Sequence, residues 1–287
     1  MDLRVEHKYL VPERLREPLR AAIAPFVRPD RHATPRHDPK IGSYLGYTVR
    51  SIYYDTTSFA HFFANEDGLA VRAKPRIRGY DAPRSDSLAF LEVKRRNGAV
   101  GNKARAPIAF ASIRSLLESG DVDGYVRASR TFPTAPANAA QFLYRIARFA
   151  LQPVVLVTYD REPHVGTIQS SLRITLDASI RSVAYPRLSE LYAEPDARRS
   201  LPGHFILEVK HDSQFGFPTW LRPFLSKHGL VRRALSKYYT CLTDQHVVQS
   251  TTKLRALARA EWAPSVGRAV AQLSSHTPTR EALPWTR

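Results

Sequence analysis

The sequence predicts an α+β fold built on a closed antiparallel β-barrel, with a charged bore and flanking helices. Three observations lead there. Short segments with strand-like alternation recur along the 287 residues. One face of segment after segment concentrates arginine and lysine with a few glutamates. Between the strands lie amphipathic helices, which need an apolar surface to cover.

The strand-like segments are Leu3–Leu10, Tyr47–Tyr54, Leu69–Tyr80, Ala89–Arg95, Val154–Arg161, Leu172–Val183 and Phe205–His211. In a strand, residues two apart share a face. Arg72, Lys74, Arg76, Arg78 and Tyr80 therefore share one face, and Leu69, Val71, Ala73, Pro75 and Ile77 the other. Arg4, Glu6 and Lys8 alternate with Leu3, Val5, His7 and Tyr9. Glu92 and Lys94 alternate with Leu91 and Val93, and Glu208 and Lys210 with Leu207 and Val209. Arg173, Thr175 and Asp177 share a face, as do Val157, Tyr159 and Arg161. The repeated Leu-Glu-Val-Lys at Leu91–Lys94 and Leu207–Lys210 is the clear internal echo.

Helix-like stretches are Pro12–Phe26, Ile108–Ser119, Ala137–Phe149, Pro218–Lys227 and Leu230–Thr243. Pro12 and Pro218 suit a first helical turn. Arg28–Gly46 and Pro186–Gly203 read as loops, and Asn97-Gly98 as a turn. The tunnel domain is expected over residues 1–245, followed by a basic tail over 246–287 that is partly helical or disordered.

If the helices cover the apolar strand faces from outside, the charged faces look inward. Two cations about 6 Å apart repel by roughly 3 kcal/mol at an effective dielectric near 20. A bore lined this way calls for a polyanion, and the arginine fork bonds phosphate oxygens in pairs. The formal charge of +17 agrees. Charge alone also suggests nucleic acid. That function needs exposed aromatics interleaved with cations on an outer surface, whereas here cations and glutamates share strand faces, so nucleic acid ranks last. Cys241 is the single cysteine, which excludes an intramolecular disulfide and suits a reducing, cytoplasmic setting. The first residues lack a signal-peptide pattern, and no segment has the length and apolarity of a spanning helix. The histidines show no metal spacing.

Eight short motifs follow one another in order: Arg4-x-Glu6-x-Lys8-Tyr9, Ser51–Thr56, Lys74–Tyr80, Leu91–Lys94, Tyr159-x-Arg161, Arg173–Asp177, Leu207–Lys210 and Ser236–Tyr238. The set resembles the VTC domain, the catalytic domain of the vacuolar transporter chaperone polyphosphate polymerases. That domain sits in the wider triphosphate tunnel metalloenzyme, or CYTH-like, superfamily.

The resemblance implies a metal-dependent transfer of the γ-phosphate of ATP onto a growing inorganic polyphosphate chain. It implies that Lys8, Arg76, Arg78, Lys94, Arg161 and Lys237 bind the triphosphate and the product chain, with hydrogen bonds from Tyr159 and Ser236. Arg4, Lys74, Arg173, Lys210 and Arg233 are further substrate-binding candidates. Glu208 would hold Mn²⁺ or Mg²⁺, with Glu6 and Glu92 as additional candidate ligands.

Two departures stand out. Ala234 occupies a position that is often basic in the family, with Arg233 one place earlier. The first strand reads Arg4-x-Glu6-x-Lys8 where the triphosphatases carry Glu-x-Glu-x-Lys, which removes one metal carboxylate and leans away from plain hydrolysis. A regulatory SPX domain and a membrane segment are not seen in the sequence, so movement of product across a membrane would fall to a separate membrane protein. A triphosphate hydrolase and a non-catalytic polyphosphate binder are the alternative functions.

Overall fold

The computed structural model describes residues 4–39, 42–83, 87–97, 100–248 and 254–259. The elements in chain order are β1 (Arg4–Pro12), α1 (Arg16–Ile23), β2 (Val27–Pro29), β3 (Thr34–Asp38), β4 (Gly42–Asp55), α2 (Ala60–Glu66), β5 (Val71–Tyr80), β6 (Leu88–Asn97) and β7 (Val100–Ala109). They continue with α3 (Ile113–Ser119), α4 (Val122–Tyr125), α5 (Ala135–Arg148), β8 (Gln152–Gly166), β9 (Arg173–Ala184), β10 (Arg198–Arg199), β11 (His204–Asp212), α6 (Arg222–Lys227) and α7 (Lys237–Asp244).

One antiparallel sheet dominates, with strand order β1-β11-β9-β8-β4-β5-β6-β7. The sheet curls strongly into a half-barrel flanked by helices. Its curl shows in the ion pair between Glu6 of β1 and Lys94 of β6, 3.7 Å apart although the two strands lie near opposite ends of the strand order. Among the described residues β1 and β7 share no ladder, so the sheet keeps two edges. The β1 edge is partly covered: Tyr9 bridges Arg232, and the Arg233 backbone N–H donates to the Lys8 carbonyl at 2.8 Å.

Helices pack on the sheet, α5 and α1 against its apolar stripes and α7 against the face that carries the charged residues. α5 packs on β6 and β7, α2 on β5, and α7 on β8 and β9. The apolar residues Ala73, Ile77, Leu91, Val93, Ala106 and Ile108 are buried in one core with Ala135, Ala139 and Phe142 of α5. A second core joins Leu19 and Ile23 of α1 to Val11, Ile174, Phe205, Leu207 and Val209. Each fully buried leucine or isoleucine contributes roughly 2 kcal/mol by transfer from water. The apolar stripes of β5, β6 and β7 thus face α5, those of β1, β9 and β11 face α1, and the charged residues that alternate with them take the opposite face.

Several expectations shift. Arg28–Gly46, read as a loop, holds β2, β3 and the start of β4. Its Pro, His and Arg content hides a hairpin that pairs Thr34–Asp38 with Gly42–Gly46. The helix expected over Ile108–Ser119 begins only at Ile113, because Ile108 and Ala109 complete β7 and a 3-10 turn follows. The helix expected over Leu230–Thr243 is α7 alone, since the residues around Arg232 and Arg233 bond to the β1 edge instead. α2 was not anticipated. Of the expected tail, residues 254–259 are helical and Arg255 pairs with Glu66 and Asp67. Lys253 and residues 260–287 lie outside the described residues.

Candidate active site

The inward faces bring most of the expected cations together. Arg76 and Arg78 project from β5 between Tyr53 and Ser51 of the neighbouring β4. Arg76 Nη1 donates to the Tyr53 hydroxyl at 2.9 Å, and Arg78 Nε donates to Ser51 Oγ at 3.0 Å. Both guanidiniums are buried. Gly79 follows on this strand because the Tyr192 hydroxyl occupies the space a Cβ would need.

Glu92, on β6, is the hub of this cluster and is fully buried. Its carboxylate lies 2.6 Å from Arg76, 3.8 Å from Arg78, 2.7 Å from Lys103 and 3.1 Å from Arg105. Burial alone would push its pKa up, but Arg76, Arg78 and Lys103 override burial and hold it well below the usual carboxylate range. Burial pushes Lys103 down to about 8, even with Glu92 pulling it upward.

Asp177 anchors a second cluster. Arg161 grips it bidentately, Nε to Oδ1 at 2.6 Å and Nη2 to Oδ2 at 2.7 Å. Lys237 Nζ donates to Oδ2 at 2.5 Å. The Tyr159 ring lies beneath both cations, 4.5 Å from Lys237 and 5.3 Å from Arg161. Burial opposes the Asp177 charge, and Arg161 and Lys237 outweigh it, so the carboxyl titrates below its ordinary value.

The third cluster is an ion-pair square across β1 and β11. Glu6 stands opposite Lys210, and Lys8 opposite Glu208. Lys8 Nζ lies 2.8 Å from Glu6 and 3.7 Å from Glu208, while Lys210 pairs with Glu208 and sits 3.9 Å from Glu6. Burial would raise Glu208, but Lys210 and Lys8 hold it well below the usual range.

Lys74 differs from all of these. Among the described residues it has no carboxylate at ion-pair distance. Its ammonium donates to Asn65 Oδ1 at 2.7 Å and to Ser236 Oγ at 2.8 Å. Burial first, then Lys8, Lys94, Arg72 and Arg76, push its pKa well below the ordinary lysine value. Ser236 also caps α7, and the Leu235 carbonyl accepts from Lys8 at 3.0 Å, so the 235–237 segment is tied to the cation face.

Asp55 holds this arrangement from behind. Its carboxylate accepts from the backbone N–H groups of Thr56, His61 and Phe62 and from the Tyr238 hydroxyl. One buried carboxylate thereby joins the end of β4, the first turn of α2 and α7. Burial pushes its pKa up to about 6.

Other expected residues sit at the margins. Lys94 is half exposed and reaches Glu6. Arg4 is exposed and donates to the Ser171 carbonyl at 3.3 Å. Arg173 is exposed and pairs with Asp30 at 2.7 Å. Arg233 is exposed and meets Lys8 through its backbone. Residues that sequence reasoning left without a role are Asp177, Lys103, Arg105, Ser51 and Tyr53. The alternation Lys103-Ala104-Arg105-Ala106 after Asn97-Gly98 was the available signal for β7.

Among the described residues no three His, Cys, Asp or Glu side chains form a metal-holding group. The donor chemistry is still informative. Glu6 and Glu208 are neighbouring carboxylates of the kind that hard divalent cations prefer. Glu92, the third expected ligand, sits in a separate cluster with Arg76, Arg78, Lys103 and Arg105 on its carboxylate.

A family model described as the VTC domain matches residues 3–245. The chain belongs to the VTC domain family. No curated protein matches this VTC domain in sequence. Solved structures that resemble it include a putative adenylyl cyclase, HpAC1 from Hippeastrum, described as having a dominant triphosphatase activity. That similarity covers 84% of this chain and 95% of the other, at 12% identity and a TM-score of 0.44. The PH1819 protein from Pyrococcus horikoshii OT3 matches at 12% identity over 84% of this chain and 99% of the other, with a TM-score of 0.39. The expected residues of the VTC motifs lie on the inward strand faces, apart from those at the margins and from Ser236 and Lys237, which reach the site from the start of α7. No helix among the described residues is long and apolar enough to cross a membrane.

Proposed function

We propose that this VTC domain is a polyphosphate polymerase that transfers the γ-phosphate of ATP onto the end of an inorganic polyphosphate chain. In this reading the half-barrel works as a tunnel, and the phosphates run along its inward face. The observation that carries it is Lys74: a half-buried ammonium surrounded by further cations and lacking a carboxylate partner among the described residues. A protein keeps such a group where an anion is to bind.

The residues divide the work. Arg76, Arg78, Lys8, Lys74 and Lys103 neutralise the donor triphosphate and the charge that develops on the transferring group. Arg161 and Lys237, stacked against Tyr159, hold the acceptor end or the departing chain. Lys94, Lys210, Arg4, Arg173 and Arg233 supply cations toward the margins. The acceptor is a terminal phosphate oxygen that is already anionic, so alignment and charge neutralisation suffice without a general base. Glu208, with Glu6 beside it, would hold Mg²⁺ or Mn²⁺. When bound, that ion would supply Lewis-acid stabilisation of the phosphate charge.

Incubation with ATP and Mn²⁺ or Mg²⁺ tests the reading. Long acid-labile chains together with ADP are the expected products. ADP with orthophosphate and no chains would replace the transferase with a triphosphate hydrolase. Binding of polyphosphate without any product would leave a non-catalytic binder. A cytoplasmic setting suits the single buried cysteine, and delivery of product across a membrane would require a separate membrane protein.

A further inference from the structure

Glu92 sits where a phosphate would be expected. It is fully buried, and four cationic groups from β5 and β7 converge on its carboxylate. Arg76 uses Nε and Nη2 on Glu92 and Nη1 on Tyr53, so its charge is partly satisfied by Glu92 while some N–H donors remain for a ligand. Lys103 places its ammonium 2.7 Å from the same carboxylate. A phosphate arriving at this level must share these cations with a carboxylate that cannot leave, because Glu92 is fixed within a paired strand. It also meets a like charge at close range.

We propose that Glu92 is a fixed internal anion that competes with the phosphate chain for Arg76, Arg78, Lys103 and Arg105. It thereby weakens the grip at this level so that the chain can advance and leave. The inference rests on the polyphosphate reading above. The physical logic is an exchange of partners. Each cation passes from carboxylate to phosphate and back at nearly constant electrostatic energy, whereas an uncompensated cradle would trap one phosphate unit. Lys74, by contrast, has no carboxylate partner among the described residues, so the grip there is expected to be tighter than at Glu92.

Glu92→Gln keeps the shape and removes the charge. Inorganic polyphosphate titrated into the whole chain should bind roughly ten-fold more tightly in the variant, the size expected for freeing charge-assisted bonds. Its dissociation measured by stopped flow should slow in proportion. A merely structural glutamate would leave affinity unchanged or lower it. If Glu92→Gln fails to fold, Glu92→Gln/Arg105→Gln is compared with Arg105→Gln alone, and tighter binding by the double variant is expected. Unchanged or weaker chain binding in a folded Glu92→Gln protein overturns the proposal. So does a loss of Mn²⁺ affinity with chain affinity unaltered, which would make Glu92 a metal ligand. A wild-type protein that binds no polyphosphate instead removes the underlying reading.

Discussion

Arg161 closes both ends of its guanidinium fork on Asp177, with nitrogen-to-oxygen distances of 2.6 and 2.7 Å. The same carboxylate receives Lys237 from α7, so one buried acid sets the position of two phosphate-binding candidates from distant parts of the chain. Replacing Asp177 with alanine leaves both cations buried without their partner. Unfolding in urea should show a loss of about 3–5 kcal/mol. Added polyphosphate should restore part of it, because the chain supplies the missing negative charge.

Lys74→Met should act in the opposite direction on stability. The substitution removes a half-buried charge crowded by Lys8, Lys94, Arg72 and Arg76. The free protein is expected to gain about 1 kcal/mol or more in the same denaturation experiment. Calorimetric titration should show weaker polyphosphate binding by roughly ten-fold. A gain in stability coupled to a loss of binding identifies a charge kept for a ligand.

Arg76→Ala and Glu208→Gln address turnover. Each should lower polyphosphate formation on the order of a hundred-fold with the fold retained, as judged by circular dichroism. Full activity in both would remove the site assignment.

The charged clusters were largely legible in the sequence, because a strand period of two sorts residues onto faces without knowledge of the fold. Arg76, Arg78 and Lys74 share a face in any strand that contains them. What remained hidden depended on partners distant in the chain. Asp177 gains its role only when β8 brings Arg161 beside it and α7 delivers Lys237. Lys103 and Arg105 were missed because β7 is rich in alanine and glycine and merges with the start of α3. The extended course around Arg232 also escaped notice, since its apolar spacing mimics a helix while the β1 edge supplies the hydrogen bonds that draw it straight.

The pH dependence follows from Lys103, held near 8. Its folded value lies below the ordinary lysine value, so the charged form is lost as pH rises through about 8. A bound phosphate chain favours the charged form and raises that value. Polyphosphate binding should therefore weaken above about pH 8 and take up protons near that pH. Calorimetry in buffers of different ionisation heat reads the uptake directly.

Acid should destabilise the fold for a separate reason. Glu92, Asp177 and Glu208 are all held below their ordinary values in the folded protein by the cations around them. The stability they supply is present above the ordinary carboxylate range and is lost as pH falls below it. Asp55 runs the other way. Its folded value of about 6 lies above the ordinary one, so its contribution is complete below the unfolded value and fades as pH rises through about 6. Thermal melts from pH 7 down to pH 3 should show a steep fall below about pH 4, where the three depressed acids outweigh Asp55.

The most direct measurement compares inorganic polyphosphate binding by the wild-type protein with that of Arg76→Ala/Arg161→Ala. A channel that holds the chain predicts saturable, salt-sensitive binding that is lost in the double variant while the protein stays folded. Equal binding by the two proteins would locate the polyanion on the outer surface and contradict the inward assignment.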